Sequence, residues 1–232
     1  MKILVFGIHP DDVELGCGGT VILAARQGHD VVIVDLSEGG SSSNGTPEER
    51  VSEALEAARR MGVAGRYNLK LPDTRIQSEN SDQLGAVVER VRKERPSLVL
   101  LPSADDPHPD HASGGRLIER ALYFSGVHGY SRAVPAWRVP RALVYPGRRD
   151  FEPEIVVDVT STHDAKLEAI LAHASQFVSG AERMPTPLNS PGFIDMVVAR
   201  ARVHGHRVGV RFGEPFRTMG PIKLVDLKSL DG

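Results

Sequence analysis

Residues 2–19 read KILVFGIHPDDVELGCGG, and the fold is decided in this stretch. Ile3–Phe6 is a short run that is apolar throughout, without alternation. Such a run predicts a strand covered on both faces, as in a largely parallel sheet. The chain then turns polar at His9-Pro10-Asp11-Asp12, at the strand's carboxyl end and ahead of a helix. Comparable runs recur at Val31–Val34, Tyr67–Leu71 and Leu98–Leu101, with a weaker one at Ala142–Tyr145. Between them lie segments with apolar residues at helical spacing. The clearest offers Val51, Ala54, Leu55, Ala58 and Met61 as one buried face. Thr46 as N-cap, Pro47 in the first turn and Glu49 as the capping-box partner mark its start, and Gly62 marks its end.

This strand–helix alternation predicts an α/β fold: a Rossmann-like, doubly wound, mostly parallel sheet with helices on both faces. Ligands of such sheets sit outside the carboxyl ends of the strands. From about Ile155 the chain adds a strand and helical patterns over Asp164–Phe177 and Phe193–Arg202. No repeat or composition shift marks a boundary, so a single domain over residues 1–232 is expected. The flexible stretch Gly39-Gly40-Ser41-Ser42-Ser43-Asn44-Gly45 follows the second strand.

The 232 residues are 41% hydrophobic and 25% charged, with a net charge of −2. That balance gives no basic footprint for nucleic acid or an anionic membrane. The single cysteine, Cys17, permits no intrachain disulfide. No leader pattern or membrane-length apolar run is present, so a cytoplasmic protein is expected.

Two clusters carry chemistry. His9, Asp11, Asp12 and Glu14 follow the first strand, and Asp105-Asp106-Pro107-His108-Pro109-Asp110-His111 follows the fourth. Imidazole nitrogens and carboxylate oxygens suit a divalent cation with one position left open for water. An acidic turn capping a helix accounts for the first cluster alone. It does not account for two histidines three residues apart, His108 and His111, at a second, equivalent strand end.

His9-Pro10-Asp11-Asp12 together with His108-Pro109-Asp110-His111 strongly resembles the PIG-L/LmbE-like family of zinc de-N-acetylases. The similarity extends through Ser42-Ser43-Asn44-Gly45-Thr46 to Arg50, Leu71-Pro72-Asp73, Ser175-Gln176-Phe177 and Val208-Gly209-Val210. The pattern is similar to the bacillithiol-pathway branch, which deacetylates N-acetylglucosaminyl malate. The resemblance implies one Zn²⁺ per chain on His9, Asp12 and His111; other divalent transition metals suit the same donors. It implies Asp11 as general base, a protonated His108 as oxyanion donor, and Asp110 as the residue orienting His108. Asp11 is its first candidate for protonating the leaving amine, with His108 second. Arg50 would pair with the malate carboxylate and Asp73 with sugar hydroxyls. A homo-oligomer, trimer or hexamer, is implied in the same way. Alternatives are deacetylation of another amino-sugar conjugate, such as a chitooligosaccharide or antibiotic precursor, or a non-catalytic metal- or sugar-binding module.

Phe193 stands where relatives carry tyrosine, and Ala174 where they carry a more polar residue. His163, His173, His204 and His206 read as surface residues. Gly16-Cys17-Gly18-Gly19 lies where a dinucleotide fold carries its glycine loop, but the spacing fails and the preceding acids would repel a pyrophosphate.

Overall fold

A computed structural model describes residues 1–131 and 133–223; the expected single domain of 1–232 therefore reaches beyond the described residues. Among the described residues, seven strands form one sheet: β1 (Lys2–Gly7), β2 (Asp30–Asp35), β3 (Gly65–Asn68), β4 (Leu98–Pro102), β5 (Ala142–Tyr145), β6 (Ile155–Asp158) and β7 (Gly213–Thr218). Their order is β3-β2-β1-β4-β5-β7-β6. β1 to β5 are parallel, with Val5 beside Ile33 on one side and Leu100 on the other. β7 runs antiparallel to both β5 and β6.

The chain winds outward from β1 through β2 to β3, then crosses back to place β4 on β1's other edge. The crevice between β1 and β4 is the topological switch point where such folds bind ligands. Helices cover both faces, as the apolar runs require. Leu4, Phe6, Val32 and Val34 pack against Leu84, Val87 and Val91 of α3 (Ser81–Glu94) and Leu117, Ile118 and Ala121 of α4 (Pro109–Ser125). Ile3, Val5, Val31 and Ile33 pack against Val13, Cys17 and Val21 of α1 (Asp12–Arg26) and Ala169 of α5 (His163–Leu171).

Local expectations held unevenly. α2 (Pro47–Met61) begins as expected: the Thr46 hydroxyl accepts the Glu49 N–H, and Gly62 closes it at φ 70°. Its buried side differs. Arg50, Ala54, Ala57, Ala58 and Met61 are inside, whereas Val51 and Leu55 are exposed. β3 also ends earlier than the apolar run, at Asn68. The Leu69 and Leu71 amides still bond to Asp35 and Leu36, but Lys70 between them turns left-handed at φ 55° and breaks the strand. The helical pattern over 164–177 divides into α5 and a short α6 (Ala174–Phe177), separated at His173. α7 (Phe193–Arg207) runs past Arg202 by more than one turn.

The histidines expected at the surface are mostly inside. His163, His173 and His204 are buried; His206 is exposed. His163 stacks on Phe212 at 3.7 Å, and His204 meets Asp150 at 2.7 Å. His173 lies 3.3 Å from Glu14. Each partner comes from another part of the chain, so helical spacing alone could not place them.

The glycine run has a packing cause. α1 is kinked at Cys17, and a Cβ on Gly16 would lie 2.3 Å from the Tyr145 ring. Beyond the kink the Glu214 carboxylate accepts the Gly19 and Thr20 amides, the Thr20 hydroxyl and the Lys166 ammonium. A protein carboxylate thus takes the anion position at this second helix start.

Candidate metal centre and active-site cavity

β1 ends at Gly7, and the next residues bend across the switch point. The Asp12 Oδ2 accepts the Ile8 and His9 amides at 3.0 and 2.8 Å, fixing the bend and leaving Oδ1 for another partner. Asp11 sits at φ 119°, a backbone region that non-glycine residues rarely adopt. Strain of this kind persists only where surrounding contacts enforce it. From the other side, β4 delivers His108 and, one turn into α4, His111. Pro109 occupies the first helical position.

The two clusters converge. His111 Nε2 lies 3.4 Å from His9 Nδ1 and 3.4 Å from Asp12 Oδ1. His9 Nδ1 is 3.9 Å from Asp12 Oδ2. A tetrahedral centre with bonds of about 2.05 Å would space its donors by about 3.3 Å. The two 3.4 Å separations match that spacing, and one donor atom from each of His9, Asp12 and His111 lies within 4.8 Å of the others, so the three residues could hold a zinc-sized cation. Electrostatics agree. Burial disfavours charge on His9, yet Asp110, Asp73 and Asp12 carry its pKa up to about 10. The spot favours a positive charge.

Asp11 lies beside this donor set and is buried. Burial pushes its carboxyl up to about 6, while the Arg50 guanidinium opposes the shift. Arg50 reaches Asp11 Oδ2 at 3.4 Å and also donates to the carbonyls of Gly39 and Pro10. Arg50 borders the cavity, but its fork is engaged by the protein. Asp73 borders the cavity as well. It accepts from His9 Nε2 at 3.1 Å, from the Ser41 amide at 2.7 Å and from the Thr74 amide at 2.9 Å.

His108 accepts the Asp110 amide at Nδ1, 3.2 Å away, which places the ring proton on Nε2. Burial, then the neighbouring His111 and His9, lower its pKa from the ordinary value. Asp110 steadies His108 through its backbone. Its carboxylate instead accepts the Thr74 and Ile76 amides and lies 3.6 Å from His9 Nε2.

A cavity of about 750 Å³ opens onto these residues. Ser41–Ser43 and Asp73 form one wall; Leu188, Phe193, Met196 and Val197 form an apolar wall. Phe193 stacks on Phe177 at 5.6 Å. The Ser42–Thr46 and Ser175–Phe177 motifs join here: Gln176 Nε2 donates to the Asn44 carbonyl, and Ser175 donates to Glu53.

Sequence reasoning assigned no role to Asp106, Arg66 or Arg148. Asp106 accepts the His108 and Arg148 amides and lies 3.6 Å from His111 Nδ1. Arg66 joins Asp35 to Glu14 inside the protein. Arg148 borders the cavity beside His108. The repeated acid Asp105-Asp106 was a weak local signal; the other two had none.

Residues 4–122 match the PIG-L family, described as GlcNAc-PI de-N-acetylase. The diacetylchitobiose deacetylase of Thermococcus kodakarensis is 30% identical over 228 residues, covering 91% of this chain and 82% of that protein. "Probable N-acetyl-alpha-D-glucosaminyl L-malate deacetylase 2" of Bacillus cereus is 28% identical over 192 residues, covering 75% of this chain and 83% of that protein. The crystal structure of the conserved protein TT1542 from Thermus thermophilus is similar at a TM-score of 0.87 and 35% identity, covering 96% of each chain. With half the chain inside the family match and a curated relative at 30% identity along nearly all of it, this chain belongs to the PIG-L/LmbE-like family of de-N-acetylases, hydrolases of amide bonds.

Proposed function

We propose that the chain is a zinc-dependent hydrolase that removes the acetyl group from an N-acetylglucosamine conjugate, with N-acetylglucosaminyl malate of bacillithiol biosynthesis as first substrate. The carrying observation is a buried carboxylate, Asp11, beside three donors spaced for a cation at the floor of one cavity. A purely structural metal site has no use for such a base.

His9 Nδ1, Asp12 and His111 Nε2 would hold the ion. Zinc supplies Lewis acidity toward a carbonyl oxygen and makes water easier to deprotonate, with a pKa of about 7. Asp11 takes the proton of the water that attacks the acetyl carbon. The carbonyl oxygen gains charge in the tetrahedral intermediate, and His108 donates to it from Nε2. Asp11 then returns its proton to the amine as the C–N bond breaks.

Arg148 supports an anionic substituent on the sugar. Its side chain makes no ion pair or hydrogen bond among the described residues, and it stands at the cavity where Arg50 is already engaged. The similarity to a diacetylchitobiose deacetylase favours a second reading, a short chitooligosaccharide as substrate. Among the described residues, no helix is long and apolar enough to cross a membrane. We further propose a cytoplasmic, single-domain homo-oligomer, trimer or hexamer, which light scattering would test.

The test is amine release by the zinc-loaded protein from N-acetylglucosaminyl malate, N,N'-diacetylchitobiose and N-acetylglucosamine in parallel. Efficient release from the malate conjugate alone supports the first reading, and preference for the disaccharide supports the second. No release from any of them overturns the proposed substrate class.

A further inference from the structure

Asp73 lies in the cavity wall, where a carboxylate could accept hydrogen bonds from a sugar, yet three of its roughly four acceptor sites are already taken by the protein. Oδ1 receives His9 Nε2 and the Thr74 amide; Oδ2 receives the Ser41 amide. Its side chain is only 13% exposed. Thr74 donates to Asp73 and Asp110 together and is itself left-handed, at φ 63°. A β-branched residue is costly there, so the backbone is held against its preference for these contacts.

A neutral imidazole has one lone pair and one N–H, and the partner of one nitrogen determines what the other can do. His9 Nδ1 faces Asp12 and His111; Nε2 faces Asp73, with Asp110 behind it at 3.6 Å. An acceptor at Nε2 keeps the proton there and turns the Nδ1 lone pair toward the donor set. Carboxylates placed behind metal-binding histidines fix the tautomer and raise ligand basicity.

We propose that Asp73 is a positioning residue that holds His9 as an Nδ1 metal ligand and ties it, through the Ser41 amide, to the wall of the substrate cavity. The inference rests on His9, Asp12 and His111 forming the metal centre. Asp110 lies farther from His9 and supports the same nitrogen from behind. The serine loop and the metal ligand thereby share one carboxylate.

The experiment measures zinc affinity of the full chain by competition with a chromophoric chelator, using zinc alone as the probe. Asp73→Asn and Asp73→Ala are compared with Asp73→Glu and the unmodified chain, and folding is checked by circular dichroism. Asp73→Asn keeps the side chain's size and covers the case in which Asp73→Ala fails to fold. The proposal expects zinc affinity to fall by about 10–100-fold in Asp73→Asn, with partial rescue by Asp73→Glu. It also expects KM to stay near the unmodified value once zinc is saturating. Folded variants that bind zinc as the unmodified chain does, with a raised KM, would overturn it in favour of a sugar contact. An unmodified chain that binds no zinc overturns the metal centre itself, a separate failure.

Discussion

Arg50 donates from its guanidinium to Asp11 Oδ2 at 3.4 Å while two of its other bonds close on the carbonyls of Gly39 and Pro10. One side chain therefore sets the charge beside the proposed base and pins the loop that carries it. Arg50→Met should raise the Asp11 pKa, because the opposing positive charge is gone while burial remains. The base acts when deprotonated, so the acid limb of the kcat/KM profile should move to higher pH. The same variant should lose about 1–3 kcal/mol of stability from unsatisfied buried acceptors. Denaturant unfolding together with a pH–rate profile checks both, and an unmoved limb would uncouple Arg50 from the base.

Asp11 and His111 separate chemistry from metal binding. Asp11→Asn should retain near-normal zinc by elemental analysis while losing most turnover. His111→Ala should lose the zinc. Equal activity in the first, or normal zinc content in the second, contradicts the assigned roles.

His108 donates to the developing oxyanion in the proposed mechanism. His108→Ala should keep zinc and lower kcat by about 10²–10³-fold, the usual loss of one oxyanion donor. A kcat equal to that of the unmodified enzyme removes it from the reaction.

Gly16 meets the Tyr145 ring, whose hydroxyl donates to the Phe6 carbonyl at 2.6 Å inside β1. Gly16→Ala should overpack this contact and cost about 1–3 kcal/mol. Thermal unfolding reads the effect; an unchanged midpoint would mean that the kinked helix shifts without strain.

The alternation of strands and helices through β4 was legible because the β1, β2 and β4 runs are apolar on both faces and are followed by polar residues at their carboxyl ends. β3, with Arg66 and Asn68 in it, is not of that kind, and β7 (Gly213–Thr218), which carries Glu214 and Arg217, was not read as a strand. The two histidine–aspartate clusters were legible because strand ends are short, local and chemically distinctive. The buried side of α2 was not. Val51 and Leu55 fit a helical stripe, but α2 turns its alanines and Arg50 inward, with Ala57 and Ala58 fully or nearly buried. Periodicity defines a stripe and leaves its rotation to the packing partners.

By itself, the sequence determined a doubly wound α/β chain with two histidine–aspartate clusters at equivalent strand ends, and its motifs carried the family. Those features depend on patterns within a few residues. Only the tertiary structure decided that Arg50 and Asp73 hold Asp11 and His9, that Glu214 occupies the helix start beside the glycines, and that His173 is buried against Glu14. Each of these depends on groups far apart in the chain meeting where water is excluded, and a local pattern carries no information about such meetings.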